Sequence, residues 1–558
     1  MKKFRRNQGI TLISLVVTLI VLLILAAVAI NLTIGDNGIL TRGQEAKDKT
    51  EQAEKDEKEK LGDMEDTIND YATGITLEQV TDENPGVLEG TGTDDDPYTI
   101  NSIEDLVVFA SNVREGTTYE GQTVKLGLSL DFNSNKSYIE PLRTNYGEYG
   151  YDGELKTLLT SGEGFKPIGT ESSLEAEEEV NTFKGTFDGN NNVIYRLYID
   201  RDITYNGEEY KEYKLGLFGY NEGTIRNLGI VDNNIKAEKI SGNCNVFVGA
   251  IVGQNQGTIE NCYNQGNISN NFIIGGISGR NNGTITYCYN LGDISGSTGA
   301  VGGISGDSLE GNFSFCYNKG TLKGNGSIAG ISTSSNSINS CYNNGKIVSE
   351  STNEVFISGI GFGTSGVTNC YNTGEINVTN DNSAYVSGIT GTYQSCTIKN
   401  CYNTGKISMD SKKNESNEQR IAGIASIGNN IENCYNLGEI KVTTNSTLIS
   451  IGGIEAVAYI ESIKNSCNSG KIQIESEANV EKIGAIIGDN TYGGAPSALN
   501  NCIWQKGSYS KGIGLGSGDA LEVEEKNMPS VLSIINKENS FKEDTNNINN
   551  GYPILNWQ

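Results

Sequence analysis

The chain has 558 residues, of which 70 are Gly, only 7 are Pro and 36% are hydrophobic, a balance that suits many tight turns between short strands better than several conventional cores. Its formal charge of −27 argues against nucleic acid as a partner, because phosphate binding draws its affinity from Lys and Arg that release counterions. The absence of His removes the Ser/His/Asp triad and the commonest metal ligand, leaving carboxylates, Lys, Tyr or Cys for any catalysis; no coil breaks the pattern by adding a catalytic set, so no catalytic residue, metal site or cofactor is assigned.

Residues 1–9 carry Lys2, Lys3, Arg5 and Arg6, and residues 10–30 are apolar apart from Thr11, Ser14 and Thr18. As a helix, that stretch would span roughly 31 Å, about one hydrocarbon core, with the basic leader on the cytoplasmic side. The run GITLISLVVTLIVLLILAAVAI, residues 9–30, resembles the type IV prepilin signal, in which a peptidase cuts after a Gly and methylates the new N-terminus. The resemblance implies a cut between Gly9 and Ile10 by a prepilin peptidase-like enzyme. It also implies a membrane anchor over residues 10–34, a location at the cell membrane and surface, and other pilin-like subunits as partners. Ser14 stands where that family carries the Glu associated with subunit pairing, so assembly into a conventional pilus does not follow. An uncleaved anchor, or a signal peptide cut after Ala29, are the alternatives.

Residues 35–75 form the next segment, in which Glu45/Lys49, Glu51/Lys55, Glu54/Lys58 and Asp56/Lys60 stand four apart with the acid first, which predicts a solvated helical stalk. Leu61, Met64, Ile68 and Tyr71 give it one apolar stripe. Residues 76–214 are read as the opening part of a β-domain, residues 215–505 as its repeats and residues 506–558 as a C-terminal cap.

The repeat is Cys-Tyr-Asn-x-Gly-x-(Ile/Leu), with seven copies beginning at Cys262, Cys288, Cys316, Cys341, Cys370, Cys401 and Cys434, 25 to 33 residues apart. An eighth copy at 466–472 shifts the Cys by one place, and a ninth at Cys502 is more decayed. Between copies lie Gly-rich pieces such as Ile274-Gly275-Gly276-Ile277, so each unit holds three apolar pieces too short for helices. A unit that cannot bury its own apolar face must stack on the next, which predicts an all-β parallel solenoid of about eleven rungs, roughly 50 Å long. The pairs LGLFG (215–219) with GTIRNL (223–228), and 248–253 with GTIENC (257–262), resemble the GLUG repeats of bacterial surface proteins. That resemblance implies a right-handed β-helix-like fold and an adhesive role.

Strand alternation turns each repeat Cys inward, predicting a structural ladder of buried thiols, with some disulfides as the alternative. It turns Tyr263, Tyr289, Tyr317, Tyr342, Tyr371, Tyr402 and Tyr435 outward, as a candidate face for a surface carbohydrate or protein ligand or as a stack that only shields the sheet. The repeat Asn residues, Asn264 to Asn436, are expected at left-handed corners, with amides able to bond to the turn backbone and to the coil above. Asp94 to Asp96, and Asp188 with Asn190, offer oxygen atoms of the kind that bind Ca²⁺, with turn formation as the alternative. Residues 528–536 suggest a short helix, and residues 552–557 an apolar strand closing the last rung. A passive pilin-like subunit, and a β-helix enzyme acting on polysaccharide, are the competing functional readings.

Overall fold

A computed structural model describes residues 88–132, 159, 161–174, 180–362, 364–391, 396–411, 417–476, 480–491, 496–536, 539–549 and 551–558. All of them fall in the second of the chain's two compact units, Val80–Gln558. The leader 1–9, the hydrophobic segment 10–34 and the stalk 35–75, with Gly9, Ile10 and Ser14, lie outside the described residues. Among the described residues no helix is long and apolar enough to cross a membrane.

The chain winds as a stack of coils joined by parallel pairing. One coil contains β1 (Ile273–Gly275), β2 (Ser278–Asn281), β3 (Thr284–Thr286), β4 (Tyr289–Asn290) and β5 (Ile294–Gly296). Each strand pairs in register with its counterparts above and below, as in Thr258↔Thr284↔Asn312, Tyr263↔Tyr289↔Tyr317 and Ile268↔Ile294↔Leu322. The unit therefore has five strands and not three pieces. The Gly-rich piece breaks at the Gly276-Ile277 corner, and Tyr-Asn makes a short strand of its own. The β4 column runs to thirteen strands, from Leu130–Asp131 to Ala520–Val523, about 58 Å at 4.8 Å per strand. The stack thus starts before and ends after the predicted repeat region, because backbone pairing continues where the side-chain motif has decayed.

Apolar columns fill the interior. Ile225, Ile259, Ile285, Phe313, Ile338, Val367, Ile398, Ile431 and Ile463 stack along the β3 column, and Ile268, Ile294, Leu322, Ile347, Ile376, Ile407 and Ile440 along β5, all buried. The first end is closed by a helix absent from the sequence reading, α1 (Ile103–Arg114). Ser102 Oγ accepts from the Asp105 amide at 3.0 Å, and Asp105 accepts in return from the Asn101 amide at 2.9 Å, an arrangement akin to a capping box. The buried face of α1, with Leu106, Phe109, Ala110 and Val113, sets Phe109 5.6 Å from Phe183 and 5.7 Å from Phe187, so aromatic rings plug the aliphatic core.

Two expectations about corners and ends are corrected. The left-handed corner falls on the residue before each repeat Cys, with φ of 51° at Asn261, 53° at Tyr287, 54° at Phe315, 53° at Ser340 and 55° at Asn369 and Asn400. The repeat Asn residues lie inside instead, because Cys, Tyr and Asn alternate in, out and in along the strand. The segment around residues 552–557 does not close the last rung. Its Ile554–Leu555 pairs antiparallel with Phe541–Lys542, and together with the helical turns Glu525–Val531 and Leu532–Ile535 it packs sideways on the β4 column against Tyr435, Cys467 and Ile503. The physical reason is the shifted eighth copy. Ser466 takes the inward Cys place, its Oγ accepting from the Cys434 amide at 3.2 Å, so Cys467 and then Ile503 occupy the outward Tyr place. Smaller apolar side chains there leave room for Phe541 and Leu555.

Candidate functional site

The outward tyrosines form one continuous stack. Ring centroids are 5.0 Å apart for Tyr263–Tyr289, 4.8 Å for Tyr289–Tyr317, 4.7 Å for Tyr317–Tyr342, 4.8 Å for Tyr342–Tyr371, and 4.9 Å for both Tyr371–Tyr402 and Tyr402–Tyr435, with planes within 7° of parallel. At strand spacing every interior ring face is taken up by its neighbour, so the column offers ring edges and hydroxyls. Burial raises the phenol pKa of Tyr263, Tyr289, Tyr371, Tyr402 and Tyr435, and repulsion from the adjacent phenol adds to it at Tyr289, Tyr402 and Tyr435. Lys319 places its ammonium 5.2 Å from the Tyr317 ring.

The column is not uniformly open. Tyr263 to Tyr402 are half-buried, whereas Tyr435 is 1% exposed beneath the C-terminal segment. Trp557 leans over Tyr371 and Tyr402, with centroids at 6.1 and 5.8 Å, and its indole N–H donates to the Asn400 carbonyl at 3.3 Å. Tyr435 Oη donates to Gln558 Oε1 at 2.9 Å, and Asn433 Nδ2 to Ser540 Oγ at 2.9 Å.

Beside this column runs a second, at the left-handed corners, which sequence reasoning missed. It is an amide ladder in most coils: Asn261 donates to Asn227 at 2.9 Å, Asn400 to Asn369, Asn433 to Asn400 and Asn465 to Asn433 each at 3.1 Å, and Asn501 to Asn465 at 2.9 Å. Two coils substitute Tyr287 and Phe315, stacked at 4.8 Å and 52% and 47% exposed. Aligning the residue before each Cys would have exposed this pair, since other coils place Asn or Ser there.

Inside, the repeat Asn side chains form a buried, one-directional ladder in which Asn264, Asn290, Asn318, Asn343, Asn372, Asn403 and Asn436 each donate to the next coil's amide oxygen at 2.7 to 2.9 Å, ending on Asn468. Each also donates to the carbonyl of the Gly two residues on, as Asn343 does to Gly345 at 2.9 Å. The ladder column Cys262, Cys288, Cys316, Cys341, Cys370, Cys401 and Cys434 is buried beside it, and all eleven thiols of the chain are free. Burial pushes Cys288, Cys341 and Cys401 well up, and Cys467 and Cys502 up to about 12.

Two of the turn acids, Asp188 and Asp94, are engaged by protein. Asp188 accepts from the Asn190 amide at 2.8 Å, Arg226 at 2.9 Å and Asn227 at 3.0 Å, which holds its carboxyl below the usual value despite burial. Asp94 accepts from the Thr123 hydroxyl at 2.7 Å. Among the described residues no group of three or more His, Cys, Asp or Glu is placed to hold a metal ion.

The coils and their inward ladders define a β-solenoid repeat protein. No family model matches the chain. It is 25% identical over 178 residues to halomucin of Haloquadratum walsbyi, a match covering 32% of this chain and spanning 2% of halomucin. A solved structure from Bacteroides ovatus, provisionally named an immunoglobulin A1 protease, aligns over 85% of this chain and 96% of its own at 16% identity with a TM-score of 0.34, a likeness too slight to carry an argument.

Proposed function

We propose that the chain is a surface-displayed attachment module without catalytic activity. In this reading a prepilin-like segment is cut between Gly9 and Ile10 and anchors the protein through residues 10–34, and a GLUG-type, right-handed solenoid holds the tyrosine face away from the membrane. The observation that carries the reading is the division of labour in each coil. Inward Ile, Cys and Asn columns repeat with little change, while the outward side bears aromatic rings, two of them exposed at strained corners. Side chains set on a rigid repeated backbone suit recognition over an extended surface.

The test has two parts. Cells expressing the full chain with a prepilin peptidase are labelled with an antibody against the solenoid, and the mature N-terminus is sequenced. Surface labelling and an N-terminus at Ile10 are expected; intracellular labelling, or a start at Met1 or Ile30, overturns the display mechanism. Attachment of those cells to coated surfaces then separates an adhesin from a passive pilin-like subunit, which would label the surface and attach no better than control cells.

A further inference from the structure

The C-terminal segment shows what the outer side of this solenoid can hold. Trp557 rests between the two outward columns, its ring against Tyr371 and Tyr402 and its N–H on the carbonyl of the corner residue Asn400. The same strip continues upstream past Tyr342, Tyr317, Tyr289 and Tyr263, all half-buried. There the corner wall changes from Asn to Tyr287 and Phe315, whose carbonyls are the register equivalents of Asn400.

Beyond the stack the two rings make with each other, folding gives no reason for that change. A bulky side chain at φ of 53° or 54° is strained where Asn is tolerated, and the pair interrupts an amide ladder that runs on both sides of it. Exposed aromatic residues in a strained backbone point to a ligand. The kind of ligand follows from the rings. Stacking at 4.7 to 5.0 Å consumes the ring faces along Tyr263–Tyr342, so that column offers ring edges of the kind Trp557 lies along at Tyr371 and Tyr402, and the Tyr287–Phe315 pair adds a second apolar wall that the Trp557 seat, with Asn400 at its corner, lacks.

We propose that the strip between Tyr287/Phe315 and Tyr263–Tyr342 docks an extended partner peptide carrying an aromatic residue among apolar ones, held as Trp557 is held downstream. The proposal rests on the attachment reading only for its biological role. The probe is a fluorescent peptide of this chain's own residues 552–558, YPILNWQ, titrated into the full-length protein in detergent.

The wild-type protein is expected to bind it saturably. Y287N/F315N, which installs the residue most other coils use at that corner, should fold with an unchanged circular dichroism spectrum and melting temperature and weaken binding at least tenfold, because a free peptide lacks the covalent tether that holds Trp557 beside an Asn corner and depends on the second apolar wall. W557A should bind at least as well as the wild type, because the upstream strip is intact. Absence of binding to the wild type overturns the proposal. Equal binding by Y287N/F315N does so too, since the peptide would then be using the downstream seat. Displacement of no peptide but direct binding of oligosaccharides to Tyr287 and Phe315 would replace it with a sugar site. Failure of surface display would show in the cell imaging and leave these titrations unaffected.

Discussion

The buried amide ladder makes a quantitative claim at Asn343. Its Nδ2 donates to Asn372 Oδ1 at 2.8 Å and Gly345 O at 2.9 Å, and its Oδ1 accepts from Asn318 Nδ2 at 2.8 Å. Asn343→Ala removes all three partners at a fully buried position. A buried polar group left without its bond costs about 1–3 kcal/mol, and partial relaxation brings the expected loss to about 4 kcal/mol. The next residue, Asn344, is exposed and accepts one bond from the Thr373 hydroxyl at 2.8 Å, so Asn344→Ala should change stability by less than about 0.5 kcal/mol. Because a stack of coils need not unfold in one step, the measurement is peptide-resolved hydrogen exchange alongside guanidinium unfolding. Protection should collapse around residues 316–374 in N343A and remain in N344A. Asn343→Asp sharpens the test, since a buried carboxyl has its folded pKa raised above the unfolded value of about 3.9. Its stability is therefore fullest below that pH and is lost as pH rises through the folded value. If N343A lowers stability no more than N344A, or N343D shows no such pH dependence, the ladder is not the stabilising element described.

Three further outcomes follow from the columns. Ellman's reagent should leave the native thiols unreacted and titrate all eleven after denaturation, since they are buried, and burial pushes Cys467 and Cys502 up to about 12; eight or more oxidised cysteines in the native protein would exclude a thiol ladder. The phenols of Tyr289, Tyr402 and Tyr435 have folded values raised above the unfolded one of about 10. Their contribution is thus complete below about pH 10 and lost above it, so ultraviolet titration should show late, cooperative deprotonation accompanied by unfolding, and an ordinary midpoint with intact structure would refute this. Gly388→Ala would set a Cβ 2.1 Å from the Gly423 carbonyl oxygen and 2.5 Å from Asn403 Cγ. Its expected destabilisation is about 1–3 kcal/mol in thermal and chemical unfolding, and an unchanged melting temperature would show that the Gly column is not packed against the Asn ladder.

The sequence was most readable where one residue type recurs at one place. Cys288, Tyr289 and Asn290 lie in, out and in as alternation requires, and Ile294 and Ile285 fill the columns their spacing implied. The left-handed corner was harder to read because Asn stands at both Asn261 and Asn264 in the same coil, and only backbone geometry separates the strained Asn from the buried one. Helix α1 carried a legible sign in Ser102 and Asp105, with Ile103, Leu106, Ala110 and Val113 at helical spacing, but the surrounding Gly-rich turns drew attention to strands. The seat of the C-terminal segment was not legible at all. It depends on Cys467 and Ile503 replacing Tyr in the outward column, and their alignment with Tyr435 appears only when the coils are in register.

The one-directional amide ladder also bears on how such a chain changes over generations. Each Asn is donor to one neighbour and acceptor for the other, so the donor side of every interior coil matches the acceptor side of any other, and repeats spaced 25 to 33 residues apart fit the same register. A duplicated or deleted coil therefore meets neighbours that already match it. Unequal recombination could lengthen or shorten the rod in steps of about 4.8 Å, leaving the aromatic plug at one end and the laterally docked segment at the other untouched. Length is then a heritable quantity that can drift without passing through unfolded intermediates.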